Sequence, residues 1–152
     1  MIDTIDKSIL RILQQNSKLT IKEIANKLNL TSTPIFERIK RLEKGQYIAS
    51  YKAVIDRKKV GLSLLVFCNI SLNQHEASFI CKFEKDIQQF TEVIECYHIG
   101  GMFDYLLKVV VQDMDAYQHF VAKKLASVDN IRQVQSAFVM TEVKSTANLP
   151  II

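Results

Sequence analysis

At 152 residues, 48% of them apolar, the chain is long enough for one ordinary domain or two small ones with real cores. No apolar run approaches the roughly 18 residues needed to cross a bilayer, and MIDTIDKSIL lacks the basic-then-apolar layout of a signal peptide, which points to a cytoplasmic protein. Residues 1–60 hold 13 Lys and Arg against 6 Asp and Glu, a balance of +7, while the rest hold 7 against 10, a balance of −3; this asymmetry fits a polyanion as partner of the first part.

Ile5, Ile9 and Ile12 recur at helical spacing and predict a first helix over about residues 3–15. A second begins at TIKE, where Thr20 caps and Glu23 reaches back to its amide. Ile21, Ile24 and Leu28 share its apolar face, and Ala25 leaves room for a crossing helix. Asn29 suits a tight turn because it tolerates positive φ. The third helix follows at once, capped by Thr31 or Thr33, with Pro34 in the first turn and Gly45 at the C-terminal cap. Two short helices joined by so short a turn make a helix-turn-helix.

With Ile35, Ile39 and Leu42 turned inward, Arg38, Arg41 and Lys44 fall on another face of the third helix, and Lys40 lies beside them. In such a motif the second helix enters the major groove, N-terminal residues first. Ser32 and Thr33 are short polar groups able to contact bases or phosphates, and arginines grip phosphates or a guanine edge. A protein-docking module with solvated charges is the competing reading. Alternation over 47–54 predicts a strand, and the charged connector DRKKVG ends at Gly61, placing a domain boundary near residue 60.

The second half reads as strand (SLLVFCNISLN), helix (Ile80, Phe83, Ile87, Phe90), two strands (VIECYHI and DYLLKVVVQD), helix (Tyr117, Phe120, Val121, Leu125, Val128) and closing strand (VQSAFVMTEVK). That order is the βαββαβ, ferredoxin-like arrangement with helices on one sheet face. The uncovered face includes apolar positions that need a partner surface, which argues for an oligomer.

Cys68, Cys81 and Cys96 lack CxxC spacing, so neither a disulfide framework nor a zinc site is expected; all three read as small buried residues in a reducing compartment. His75, His98 and His119 show no HExxH spacing, and GxGxxG and GxSxG are both absent. No metal, no cofactor and no catalytic set is expected. Between the two middle strands, Gly100 and Gly101 expose amides able to take a carboxylate, and Asp104 could pair with an amino group; a plain hairpin turn reads equally well.

The chain resembles the Lrp/AsnC, or feast/famine, regulators over essentially its whole length. The resemblance rests on IDTIDKSILRILQQNSKLTIKEIANKLNLTSTPIFERIKRLEKGQYI, on VIDRKKVGL, and on GGMFDYLLKV and TEVK. It implies an α+β protein: a helix-turn-helix (winged-helix-like) DNA-binding domain over 1–60 and a ferredoxin-like βαββαβ effector and oligomerisation domain over 61–152. It also implies dimers that assemble to octamers or larger rings, with double-stranded DNA and an amino-acid effector as partners. The effector would lie near GGMFDY, at Gly100, Gly101, Met102, Phe103 and Asp104; Ser136, on the last strand, could add a hydroxyl if a neighbouring dimer brings it close. Phe103 stands where Tyr is common in the family, and Gly100 where Ser or Thr is common. Without those hydroxyls, and with Met102 and Phe103 present, an apolar effector such as leucine or methionine is expected over asparagine or glutamate. Two rival readings are an architectural DNA-wrapping protein without an effector and a small enzyme carrying a basic domain.

Overall fold

The computed structural model describes every residue except Ala147. It divides into two compact units, Met1–Val54 with Lys144–Ile152, and Ile55–Val143.

The first unit is built on three helices, α1 (Thr4–Gln15), α2 (Ile21–Leu28) and α3 (Ser32–Lys44). Two capping boxes start the first two. Asp3 accepts the Asp6 amide while Asp6 accepts the Asp3 amide, and Thr20 and Glu23 do the same for α2. Asn29 ends α2 in the left-handed region at φ 55°, which sets the short turn into α3. Thr31 occupies the N-cap of α3 without a side-chain bond, and Pro34 lies in the first turn. The apolar stripes meet in one core of Ile9, Ile24, Ala25, Ile35 and Leu42. The C-terminal segment lies along α1: Arg11 donates through Nε (3.1 Å) and Nη2 (2.9 Å) to the Ile151 carbonyl, and Gln14 accepts the Leu149 amide at 2.6 Å.

In the second unit β1 (Leu64–Leu72), α4 (Ala77–Ile87), β2 (Val93–His98), β3 (Tyr105–Val111), α5 (Met114–His119) and β4 (Ile131–Phe138) form an antiparallel sheet of order β2-β3-β1-β4. Alternate residues of the central strands, among them Cys68, Ile70, Leu107 and Val109, face a core completed by Phe83 and Ile87 of α4 and by Tyr117, Phe120 and Leu125. The other face carries Phe67, Asn69, Leu106 and Lys108 from the same strands. After His119 the helix widens into a π turn, Phe120–Lys124, then tightens into a 3-10 turn, Leu125–Ser127. The wider turn brings Phe120 and Leu125, five residues apart, onto the core together. Among the described residues no helix is long and apolar enough to cross a membrane.

Three expectations differ from what forms. Residues 47–54 make no strand: the alternation is present, but a strand needs ladder partners, and none of these residues is paired. The closing strand ends at Phe138, so TEVK lies beyond it. Residues 144–152 also pack with the first unit through the Arg11 and Gln14 contacts. Of the cysteines only Cys68 is buried; Cys81 is exposed on α4, and Cys96 is exposed on the edge strand β2.

Candidate functional site

Burying Ile35 and Leu42 turns the opposite side of α3 to solvent. Ser32, Thr33, Lys40, Arg41 and Lys44 are all exposed. The Lys40 ammonium sits over the exposed ring of Phe36, 4.4 Å from its centre, which holds the charge at the surface.

Arg38 is placed differently. Its Nη1 donates to Asp3 at 2.5 Å and to Asp6 at 2.8 Å, and its side chain is only 23% exposed. Arg41 donates through Nη2 to the second Asp6 oxygen at 2.6 Å while its side chain stays 61% exposed. Burial presses the Asp6 carboxyl upward, but the Asp3 amide and the Arg38 guanidinium outweigh it and hold it below the usual carboxylate range. Asp6 is therefore ionised although its side chain has no solvent exposure. Sequence reasoning missed both aspartates; the available signal was D-x-x-D at the start of α1 matching R-x-x-R in α3.

The loop between β2 and β3 contains the predicted run Gly100, Gly101, Met102, Phe103 and Asp104. Gly101 has φ 142°, a conformation that favours glycine, and a Cβ added at Gly100 would meet nothing within 4 Å. Met102 is 88% exposed and Phe103 half-buried. Among the described residues, the amides of residues 100–103 donate no hydrogen bond within the chain.

Asp104 is fixed from several sides. Its carboxylate accepts the Leu72 amide at 2.7 Å and meets His75 Nε2 at 2.9 Å, while its own amide donates to the Ile70 carbonyl at 2.9 Å. The Leu72 amide chiefly, with His75 and Arg132 adding to it, outweighs burial and keeps this carboxyl below its ordinary value. The loop thus presents unpaired donors beside a fixed anion, the two groups a free amino acid requires. His98 and Tyr105, its two stems, stack at 4.6 Å and border an open depression of about 380 Å³ between β2 and α4. Tyr105 donates to Glu84 there at 2.7 Å.

Within one chain Ser136 lies on β4, away from its own loop. It pairs across β1 with Cys68, and its hydroxyl is engaged by Tyr117, which also meets the Cys68 thiol at 3.1 Å. Among the described residues no group of three or more His, Cys, Asp or Glu is arranged to hold a metal.

Two family models match. Residues 2–49 fit a winged helix-turn-helix DNA-binding domain, and residues 65–149 fit the Lrp/AsnC ligand binding domain. The chain belongs to the Lrp/AsnC family of transcriptional regulators. It is 36% identical over 151 residues to the DNA-binding transcriptional activator DecR of Escherichia coli K12, covering 99% of each chain. To the leucine-responsive regulatory protein of the same strain it is 35% identical over 150 residues, covering 99% of this chain and 92% of that one. A transcriptional regulator of Neisseria meningitidis, in a crystal structure of its complex with L-methionine, superposes with a TM-score of 0.95 at 33% identity, covering 99% and 97% of the two chains. As an Lrp/AsnC regulator the chain pairs a DNA-binding domain with an amino-acid-binding domain, and its named relatives are transcription regulators rather than enzymes.

Proposed function

We propose that this Lrp/AsnC regulator reads specific DNA sequences with α3 and is controlled by an apolar amino acid, leucine or methionine, held at the loop of Gly100, Gly101, Met102, Phe103 and Asp104. The observation that carries the reading is the ionised Asp104 carboxylate, fixed by Leu72 and His75, in a loop whose amides have no partner among the described residues. The carboxylate takes the effector's ammonium and the amides take its carboxylate. Met102 and Phe103 offer apolar contact to its side chain, and the methionine complex of the Neisseria meningitidis regulator supports that choice. Ser136, engaged by Tyr117, serves packing in this reading.

On the DNA side Ser32, Thr33, Lys40, Arg41 and Lys44 are the contacting groups, and Arg38 supports them from within. Dimers place two α3 helices about one DNA turn apart, roughly 34 Å, and associate further to octamers or larger assemblies in the cytoplasm. An effector acts by binding one assembly better than another. A thermal-shift panel tests the ligand. At a hundred times its Kd a native-state ligand adds about 2.7 kcal/mol, so leucine or methionine should raise the melting temperature where asparagine and glutamate do not. If no amino acid raises it at millimolar concentration, the effector reading fails and a DNA-wrapping protein without a ligand replaces it.

A further inference from the structure

The four charged groups Asp3, Asp6, Arg38 and Arg41 balance one another, and their connectivity is unequal. Asp6 accepts three bonds: from the Asp3 amide (3.1 Å), from Arg38 (2.8 Å) and from Arg41 (2.6 Å). Arg38 spends one nitrogen on both aspartates and is mostly covered. Arg41 gives a single Nη2 to Asp6, so most of its five N–H donors remain free on a side chain that is largely exposed. An unattached surface arginine loses its rotamer freedom when it grips a phosphate; one whose guanidinium is already held by a carboxylate has lost much of it in advance.

We propose that Asp6 is a positioning residue for DNA recognition: it locks Arg38 as an internal bolt between α1 and α3 and aims the remaining donors of Arg41 at a backbone phosphate. The inference rests on the reading of α3 as the DNA-contacting helix. It separates two arginines that sit one turn apart and look equivalent in sequence. Arg41 touches the nucleic acid, and Arg38 acts only through the helix it anchors. Asp6 also draws on the charge of Arg41, so its removal has an informative sign. Removing a mere competitor for that charge would tighten binding, whereas removing a positioner weakens it.

The test uses the full-length chain and a mixed-sequence duplex, with affinity measured across a salt titration. Arg41→Ala should flatten the log–log salt dependence by about 0.9, the loss of one phosphate contact. Asp6→Asn should weaken binding about two- to tenfold, the cost of ordering one side chain anew, and should cost nothing further once Arg41 is Ala. Arg41→Lys keeps the charge but replaces the planar fork, whose separate nitrogens serve carboxylate and phosphate from fixed directions, with a single point of donation on a flexible stem, so it should lose a similar factor. That variant decides the matter if Asp6→Asn does not fold at the assay temperature. The proposal is overturned if Arg41→Lys binds like the parent, if Asp6→Asn binds more tightly, or if its loss is as large in the Arg41→Ala background. Unchanged affinity and salt slope in a Lys40→Ala, Lys44→Ala double variant would instead remove the reading of α3 on which the proposal stands.

Discussion

Replacing Asp104 separates the two tasks this residue performs. Asp104→Ala deletes the acceptor of the Leu72 amide, which closes β1 from a residue that is 2% exposed. A buried donor left without its partner costs about 1–3 kcal/mol. The contact to His75 adds little, because that imidazole is 60% exposed and exposed pairs are worth about 0–1 kcal/mol. Asp104 itself is a quarter exposed, which lets water replace part of the bond and favours the low end, about 1–2 kcal/mol. For a unit of this size that lowers the melting temperature by roughly 4–8 °C per kcal/mol. Asp104→Asn keeps a carbonyl oxygen for Leu72 and should melt close to the parent. It removes the charge that would meet an ammonium, and a hydrogen bond to a charged group is worth about 1.5–3 kcal/mol. Its affinity for leucine or methionine should therefore drop roughly tenfold to a hundredfold. Calorimetry for binding and differential scanning calorimetry for melting read the two effects independently. Because the folded carboxyl titrates below its ordinary value, Asp104 keeps its charge through neutral pH, and its contribution to effector affinity should be lost only in acid, below about pH 4. An Asn variant that binds as the parent does, or an Ala variant that melts with it, would refute this account of Asp104.

The first unit should be acid-sensitive. Asp3, held down chiefly by the Asp6 amide, and Asp6 both titrate below their usual range, so their contribution is present above about pH 3.9 and is lost as pH falls through the folded values; far-UV circular dichroism against pH should show unfolding that Asp6→Asn shifts or abolishes. Ile9→Ala, at a side chain with no exposure, should cost about 2–5 kcal/mol in denaturant unfolding and abolish DNA binding by melting the helices. At the loop, Gly101→Ala should destabilise by about 1–3 kcal/mol because its φ of 142° suits glycine alone. Gly100→Ser, with open space around it, should fold normally and move effector preference toward asparagine.

Local chemistry was legible in the residues. The Thr20–Glu23 box, the left-handed Asn29, and the spacing that selects Ile9, Ile24, Ile35 and Leu42 involve neighbours within a few positions, and all appear as read. The β-branched and aromatic run SLLVFCNISLN likewise forms a strand, β1. What stayed hidden depends on residues far apart in the chain. Arg38 looks like a surface cation until α1 places Asp3 and Asp6 against it, 35 and 32 positions earlier. Ser136 reads as an available hydroxyl, and only the packing of Tyr117 beneath the sheet engages it. The segment 47–54 alternates like a strand, yet alternation specifies faces and not a partner. The return of the C-terminal residues to α1 rests on backbone carbonyl and amide groups at Ile151 and Leu149, which carry no sequence signal.

The central claim is that an apolar amino acid, bound at the Asp104 loop, controls how this protein engages specific DNA. Selection of binding sites from a random duplex pool, followed by isotherms on the enriched sequence with and without L-leucine and L-methionine, tests it most directly. An imperfect inverted repeat with half-sites about one helical turn apart should emerge, with an isotherm that shifts with one of these amino acids and no such shift in Asp104→Asn. No enriched sequence, or identical isotherms at every amino-acid concentration, would contradict it.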